Sequence, residues 1–262
     1  MKIVVCASLA YSLVNFRGAL LASLSRDHSV IACAPDDNPD VRRQLSEMGV
    51  GFRRIPMQRA SLSPIADLRT LVTYLRLFRE QNPDIVLAYT QKPIIYAGIA
   101  TRLRPRIRFF AMVSGLGHAF GERNGQPRRF LRALVSFLYR IAVRRTDTFF
   151  VFNRDDGVEM LARRIIRPDH RLIQLPGSGV DTARFAKAPL PVGPPVFLLI
   201  ARLMRDKGLY EFVAAARQVR MLVPAARFQL LGPFDDNPES IHGQELDAWI
   251  GEGVIEYLGT TS

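Results

Sequence analysis

Apolar residues recur along the chain in two rhythms, short unbroken runs and longer stretches in which they return every three or four positions. Unbroken runs mark strands buried on both faces, and the longer rhythm marks amphipathic helices. KIVVC (Lys2 to Cys6), SVIACA (Ser29 to Ala34), GFRRIPM, DIVLAY, IRFFAMV, TDTFFVF and RLIQLP read as strands. Helical patterns alternate with them: Asn15 to Leu24, about Asp40 to Met48, about Pro64 to Gln81, PIIYAGIATRL, about Pro127 to Arg145, and a helix capped by Asn153 that runs to about Arg164. Parallel strands need crossovers of about a dozen residues, so the economical fold is a mostly parallel sheet with helices on both faces.

The alternation breaks at Lys187 to Pro195, where KAPLPVGPP packs four prolines and a glycine into nine residues and reads as a linker. The expected organisation is a domain over residues 1–186, a linker over 187–195 and a second domain over 196–262. The second opens with VFLLIARL as a strand, then a helix from about Lys207 to Leu222, ARFQLLG as a strand, a helix from about Pro238 to Gly251, and VIEYLG. Three strands make about half of a doubly wound domain, so the second domain is expected to be incomplete and the chain truncated.

Composition narrows the chemistry. Cys6 and Cys33 both sit in apolar runs and read as core hydrophobes, and the four histidines show no close Cys/His spacing, so no metal is expected. No stretch approaches the roughly 18 to 20 apolar residues that span a bilayer. The net charge of +12 is concentrated: residues 101–171 hold 16 arginines against six carboxylates. Such a patch suits nucleic acid, an anionic membrane or a phosphorylated substrate. No recognised nucleic-acid motif or interleaved aromatic platform accompanies it, and no nucleic-acid partner is expected.

The segment LLIARLMRDKGLYEFVAAAR carries the most chemistry. A strand ends at Arg202 and a helix begins at Lys207, so both cations lie at a strand's carboxyl end beside the positive end of a helix, a geometry suited to a diphosphate. A solvated basic turn containing Arg205 and Asp206 is the plainer reading of the same residues. The R-x4-K spacing, the KG at the helix start and the EFVAAAR that follows resemble the donor-phosphate motif of retaining glycosyltransferases of GT-B fold, family 4. NFRGALLASL, TQKPIIYAGIA with MVSGLGHAF, and LPGSGVDTARF resemble the members that extend lipid-linked capsule, O-antigen or glycan precursors.

That resemblance implies an α/β, GT-B-like fold of two doubly wound, Rossmann-like domains, the first binding the acceptor and the second a nucleotide sugar, with the active site in the cleft between them. It implies Arg202 and Lys207 as catalytic and donor-binding residues and a UDP-sugar as donor, with no metal and no other cofactor. The acceptor would be a glycan or a polyprenyl-diphosphate-linked sugar, and the enzyme cytoplasmic, lying at the inner face of the membrane when its arginines engage anionic lipid. The family's E-x7-E element is expected beyond Ser262. The loop ASLAYSLVN lacks the paired glycines of many relatives and offers Ser8, Ser12 and Asn15 instead.

Further candidates are His118, placed by SGLGHAF to touch acceptor or transferred sugar, with Gly115 and Gly117 allowing close approach of the backbone or simply making a tight turn. Gly177, Ser178 and Gly179 precede the linker as part of the donor site, a hinge or an ordinary loop. On the helix RRFLRALVSFLYRIAVRR, a stripe of Phe130, Leu134, Phe137, Leu138 and Ile141 is expected to pack on the sheet, leaving Arg128, Arg129, Arg132, Arg140, Arg144 and Arg145 around it to attract a membrane. A second class of function stays open: a non-catalytic GT-B remnant acting as a membrane-surface or interaction module. A dehydrogenase is disfavoured, since no G-x-G-x-x-G follows the first strand.

Overall fold

A computed structural model describes residues 1–58, 63–115, 126–190, 192–235 and 240–261, with the side chains of 126–132 outside that description. The chain divides into two compact units, 1–181 and 182–262.

Unit 1 holds seven parallel strands: β1 (Lys2–Cys6), β2 (Ser29–Ala34), β3 (Val50–Arg54), β4 (Ile85–Tyr89), β5 (Arg108–Val113), β6 (Thr146–Val151) and β7 (Leu172–Gln174). Their order is β3-β2-β1-β4-β5-β6-β7, so the winding reverses between β1 and β4. Residues alternate between two cores. Val4, Cys6, Val86, Ala88, Phe109 and Ala111 face α4 (Pro64–Gln81), α5 (Gln91–Arg102) and α6 (Gln126–Val143). Ile3, Val5, Val30, Ala32 and Leu87 face α1 (Ala10–Asn15), α2 (Gly18–Ser25) and α3 (Pro39–Glu47). Cys6 and Cys33 are free, buried and paired in register across β1 and β2.

Local signals set several boundaries. The Asn38 side chain accepts from the Asp40 and Val41 amides at the start of α3, and Asn153 accepts from the Asp156 amide at 2.7 Å to start α7 (Arg154–Ala162). Ser63 caps α4 ahead of Pro64, and Asn82 ends that helix in the left-handed conformation.

Two expectations change in unit 1. The helix read from Asn15 to Leu24 is instead α1 followed by α2, broken at Phe16 and Arg17, because the Arg17 side chain turns inward to lie over the rings of Tyr89 and Phe152. The apolar stripe expected on α6 packs on the sheet only in part, through half-buried Leu138. Leu134 and Phe137 are 41% and 55% exposed, while Val135, Ser136, Tyr139, Ala142 and Val143 are buried; Phe130 lies among the undescribed side chains. The cause is the close approach of α5: a Cβ on Gly98 would stand 2.9 Å from the Ala142 carbonyl oxygen, so small Ala142 occupies the seam and its bulky neighbours rotate outward.

Unit 2 contains β8 (Val196–Ile200), a 3-10 turn (Arg205–Lys207), α8 (Leu209–Leu222), β9 (Arg227–Leu231), α9 (Gly243–Gly251) and β10 (Glu256–Tyr257). The helix expected from Lys207 therefore starts two residues later, after Gly208. Its three parallel strands run β10-β9-β8 over a core of Leu203, Leu209, Val213, Phe228, Leu230, Leu246 and Trp249. Among the described residues no helix is long and apolar enough to cross a membrane.

Candidate functional site

Both sheets are parallel, so the loops leaving the carboxyl ends of their strands gather at one rim of each sheet, where ligands bind in open α/β folds. In unit 2, β8 runs out through Ala201, whose carbonyl oxygen would lie 1.9 Å from a Cβ on Gly232; only glycine permits that approach. The path is fixed further by the Leu203 amide, which donates to Pro233 O at 2.9 Å, and by the Ser240 hydroxyl, which donates to Leu203 O at 2.9 Å. Arg202 emerges there half-exposed and pairs with Asp235 at 2.5 Å. The 3-10 turn then presents Lys207, 3.5 Å from Asp206, and Gly208 leads into α8, whose amino end has no side-chain cap. The rim thus joins two cations to free helical N–H groups, an arrangement that attracts phosphate. Neighbouring Arg205 is drawn aside, 3.7 Å from Glu245.

In unit 1 the reversal between β1 and β4 marks the corresponding rim. Ser8 lies half-buried in the loop after β1, and Asn15 is exposed at the end of α1. The Ser12 hydroxyl donates to Leu9 O at 2.6 Å, so the Tyr89 hydroxyl, 2.9 Å away, donates to Ser12. Burial pushes the Tyr89 phenol up to about 12. The next residue, Thr90, has φ of +65°, a left-handed conformation unusual for a β-branched residue. Lys92 pairs with Asp67 at 2.7 Å with both side chains largely buried, and burial followed by the Asp67 carboxylate raises the Tyr96 pKa.

Gly115 follows β5 with φ of +126°, a backbone angle that favours glycine, and among the described residues no atom lies within 4 Å of a built Cβ. Gly117 and His118 lie outside the described residues. Gly177 and Gly179, also at positive φ, flank Ser178, whose hydroxyl accepts from Arg17 at 2.7 Å. Sequence reasoning passed over Arg17, Tyr89, Lys92 with Asp67, and Asp235. The available signal for Arg17 was an arginine followed by glycine inside an otherwise apolar run. A cavity of about 290 Å³ lined by Thr101, Pro105, Ile107, Arg108, Arg145 and Asp147 opens at the amino ends of β5 and β6, the opposite end of those strands from the carboxyl rim of unit 1.

Solved structures share this fold. HepE of Anabaena in complex with UDP and glucose is 14% identical, with a TM-score of 0.68 over all of this chain and 70% of its own length. The UDP-GlcNAc 2-epimerase of Neisseria meningitidis bound to UDP-GlcNAc is 13% identical, with a TM-score of 0.62 over 100% and 73% of the two chains. The lipopolysaccharide outer core galactosyltransferase WaaB is 16% identical, with a TM-score of 0.59 over 100% and 69%. The α/β, GT-B-like class expected from the sequence is borne out, and the presence of an epimerase among these likenesses shows that fold alone does not select transfer. No curated protein sequence matches. Residues 17–177, more than half of the chain, match the profile of the glycosyl transferase 4-like domain, and the chain belongs to that glycosyltransferase family.

Proposed function

We propose that the chain acts in the transfer of a hexosyl or N-acetylhexosaminyl group from a UDP-sugar to a lipid-linked or polysaccharide acceptor, with retention of configuration. The observation that carries the donor half is the pairing of Arg202 and Lys207 with the uncapped amino end of α8 at one rim of unit 2. Family membership supports the reaction class, and the UDP and UDP-GlcNAc bound by HepE and the epimerase support the donor class.

In this reading the anomeric C–O bond to the diphosphate breaks while the acceptor oxygen attacks from the same face and its proton passes to the departing phosphate. Arg202 and Lys207 hold the charge that gathers on the leaving UDP; a donor aimed at developing charge is worth roughly 3 to 4 kcal/mol in such sites. Two cations perform this task with no metal or other cofactor. Gly177, Ser178 and Gly179 contribute to donor binding. Ser8, Asn15, Gly115, Gly117 and His118 serve the acceptor, and His118 touches the transferring sugar. Titration calorimetry with UDP-glucose tests the assignment: Arg202→Ala and Lys207→Ala are each expected to weaken binding at least tenfold, about 1.4 kcal/mol. Unchanged affinity removes both residues from the site.

A membrane-surface module is the second reading, favoured by exposed Leu134, Phe137 and Arg140 on α6, with exposed Arg144 and Arg145 just beyond its end. It is compatible with a cytoplasmic enzyme lying peripherally on the membrane. Binding to vesicles containing one-third phosphatidylserine, lost in moderate salt and in Phe137→Asp, is the expected result; equal binding to neutral vesicles sinks it.

A further inference from the structure

Arg17 is the single charged residue among the buried described residues, at 5% exposure. Its Nη1 donates to Phe16 O at 2.8 Å and to the Ser178 hydroxyl at 2.7 Å. Its guanidinium carbon lies 5.0 Å from the Tyr89 ring centre and 5.4 Å from that of Phe152. Among the described residues, buried Nε has no hydrogen-bond partner and no carboxylate pairs with the guanidinium. Burial lowers its pKa, yet a guanidinium stays protonated at neutral pH. Buried charges are ordinarily matched by an opposite charge, and two neutral oxygens with two aromatic faces leave this one unmatched.

The position of that unmatched charge is informative. Tyr89 is the last residue of β4, Phe152 follows the last residue of β6, and Ser178 lies beyond β7, so Arg17 sits at the carboxyl rim of the seven-stranded sheet. It is also the N-cap residue of α2, an eight-residue helix with no side-chain cap, which adds the positive end of a helix. Ser178 is exposed, so the neutral oxygen it offers Nη1 can be exchanged for a ligand oxygen arriving from solvent. A phosphate oxygen arriving there would take the Nη1–H that now reaches Ser178, a charge-assisted bond in place of a neutral one.

We infer that Arg17 is an anion-binding residue that takes a phosphate of a diphosphate ligand at the rim of unit 1. The ligand class is an organic diphosphate, carried either by a nucleoside or by a prenyl chain. The inference does not depend on the donor assignment: binding at Arg17 can fail with the Arg202 and Lys207 effects intact, and the reverse.

The test starts from the full chain carrying Arg202→Ala and Lys207→Ala, which silences unit 2, with inorganic pyrophosphate as the calorimetric probe. That parent is expected to bind pyrophosphate, Arg17→Met to lose at least tenfold in affinity, and Arg17→Lys to fall between them. Arg17→Met is expected to keep its circular dichroism spectrum, because an apolar side chain of similar length replaces an unmatched buried charge. Displacement of pyrophosphate by UDP or by farnesyl diphosphate supports the site and names the source; displacement by neither overturns it. No binding by the parent, or equal affinity in Arg17→Met, also overturns it. If Arg17 only fastens the loop, Arg17→Met lowers Tm and leaves pyrophosphate affinity unchanged, which also overturns the inference.

Discussion

Two arginines stand at the carboxyl rims of the two sheets and are held in opposite ways. Arg202 is half in water and leans on Asp235, whereas Arg17 is buried between aromatic rings and has no carboxylate partner among the described residues. The sheets beneath them differ in the same sense. In unit 1 strand β1 is covered on both faces, with Val4, Val5 and Cys6 fully buried; in unit 2 the edge strand β8 leaves Phe197, Leu198 and Ile200 43%, 48% and 68% exposed. A complete double layer of helices creates an interior in which a charge without a partner is costly, and a thinner one leaves its cations to water and counter-charge. The same residue type therefore reports different things in the two units.

The contrast can be broken from either side. The largest effect is expected from Gly232→Ala, which drives a methyl into the Ala201 carbonyl at a positive φ and should cost unit 2 about 3 kcal/mol or more. Trp249, the sole tryptophan and buried in unit 2, reads that loss as an early fluorescence transition; a transition unmoved in temperature contradicts the close approach. Gly98→Ala is the counterpart in unit 1, pressing α5 against α6 for about 2 kcal/mol. Faster amide exchange in those helices with the Trp249 transition unmoved is the expected signature. Asn153→Ala removes the cap of α7 and should cost about 1 kcal/mol by denaturant titration.

The smallest effect concerns acid. Hydrogen bonding from Arg227 and then Gln229 holds the Glu256 carboxyl down to about 2, from an ordinary value of 4.5. A depressed carboxyl stabilises the fold above its unfolded value and loses that contribution as pH falls through its folded one. The Trp249 transition should therefore weaken between pH 4.5 and 2, slightly, since the pair is exposed, and less so in Glu256→Gln or in high salt. An identical acid profile for Glu256→Gln would falsify the link.

What could be read from the sequence is what local chemistry decides. The buried runs of β1, β2 and β4, the proline start and asparagine stop of α4, and the Asn153 cap each depend on neighbours in sequence. The break between α1 and α2 was illegible because its cause lies 72, 135 and 161 residues away, at Tyr89, Phe152 and Ser178. The outward turn of Leu134 and Phe137 was illegible for a similar reason: the close seam with Gly98 on another helix decides which face of α6 is buried. At the candidate sites, Arg202 and Lys207 could be placed by spacing alone, but the attachment of Arg202 to Asp235 could not.

The register of β1 against β2 has a practical consequence. It sets Cys6 beside Cys33, the only thiols of the chain, both fully buried, on the second and third strands of the larger sheet. A thiol-specific reagent cannot reach either sulfur until that part of the sheet opens, so the rate of labelling in native buffer is a clock for the opening of unit 1. The sheet keeps its own time, with no probe engineered into it.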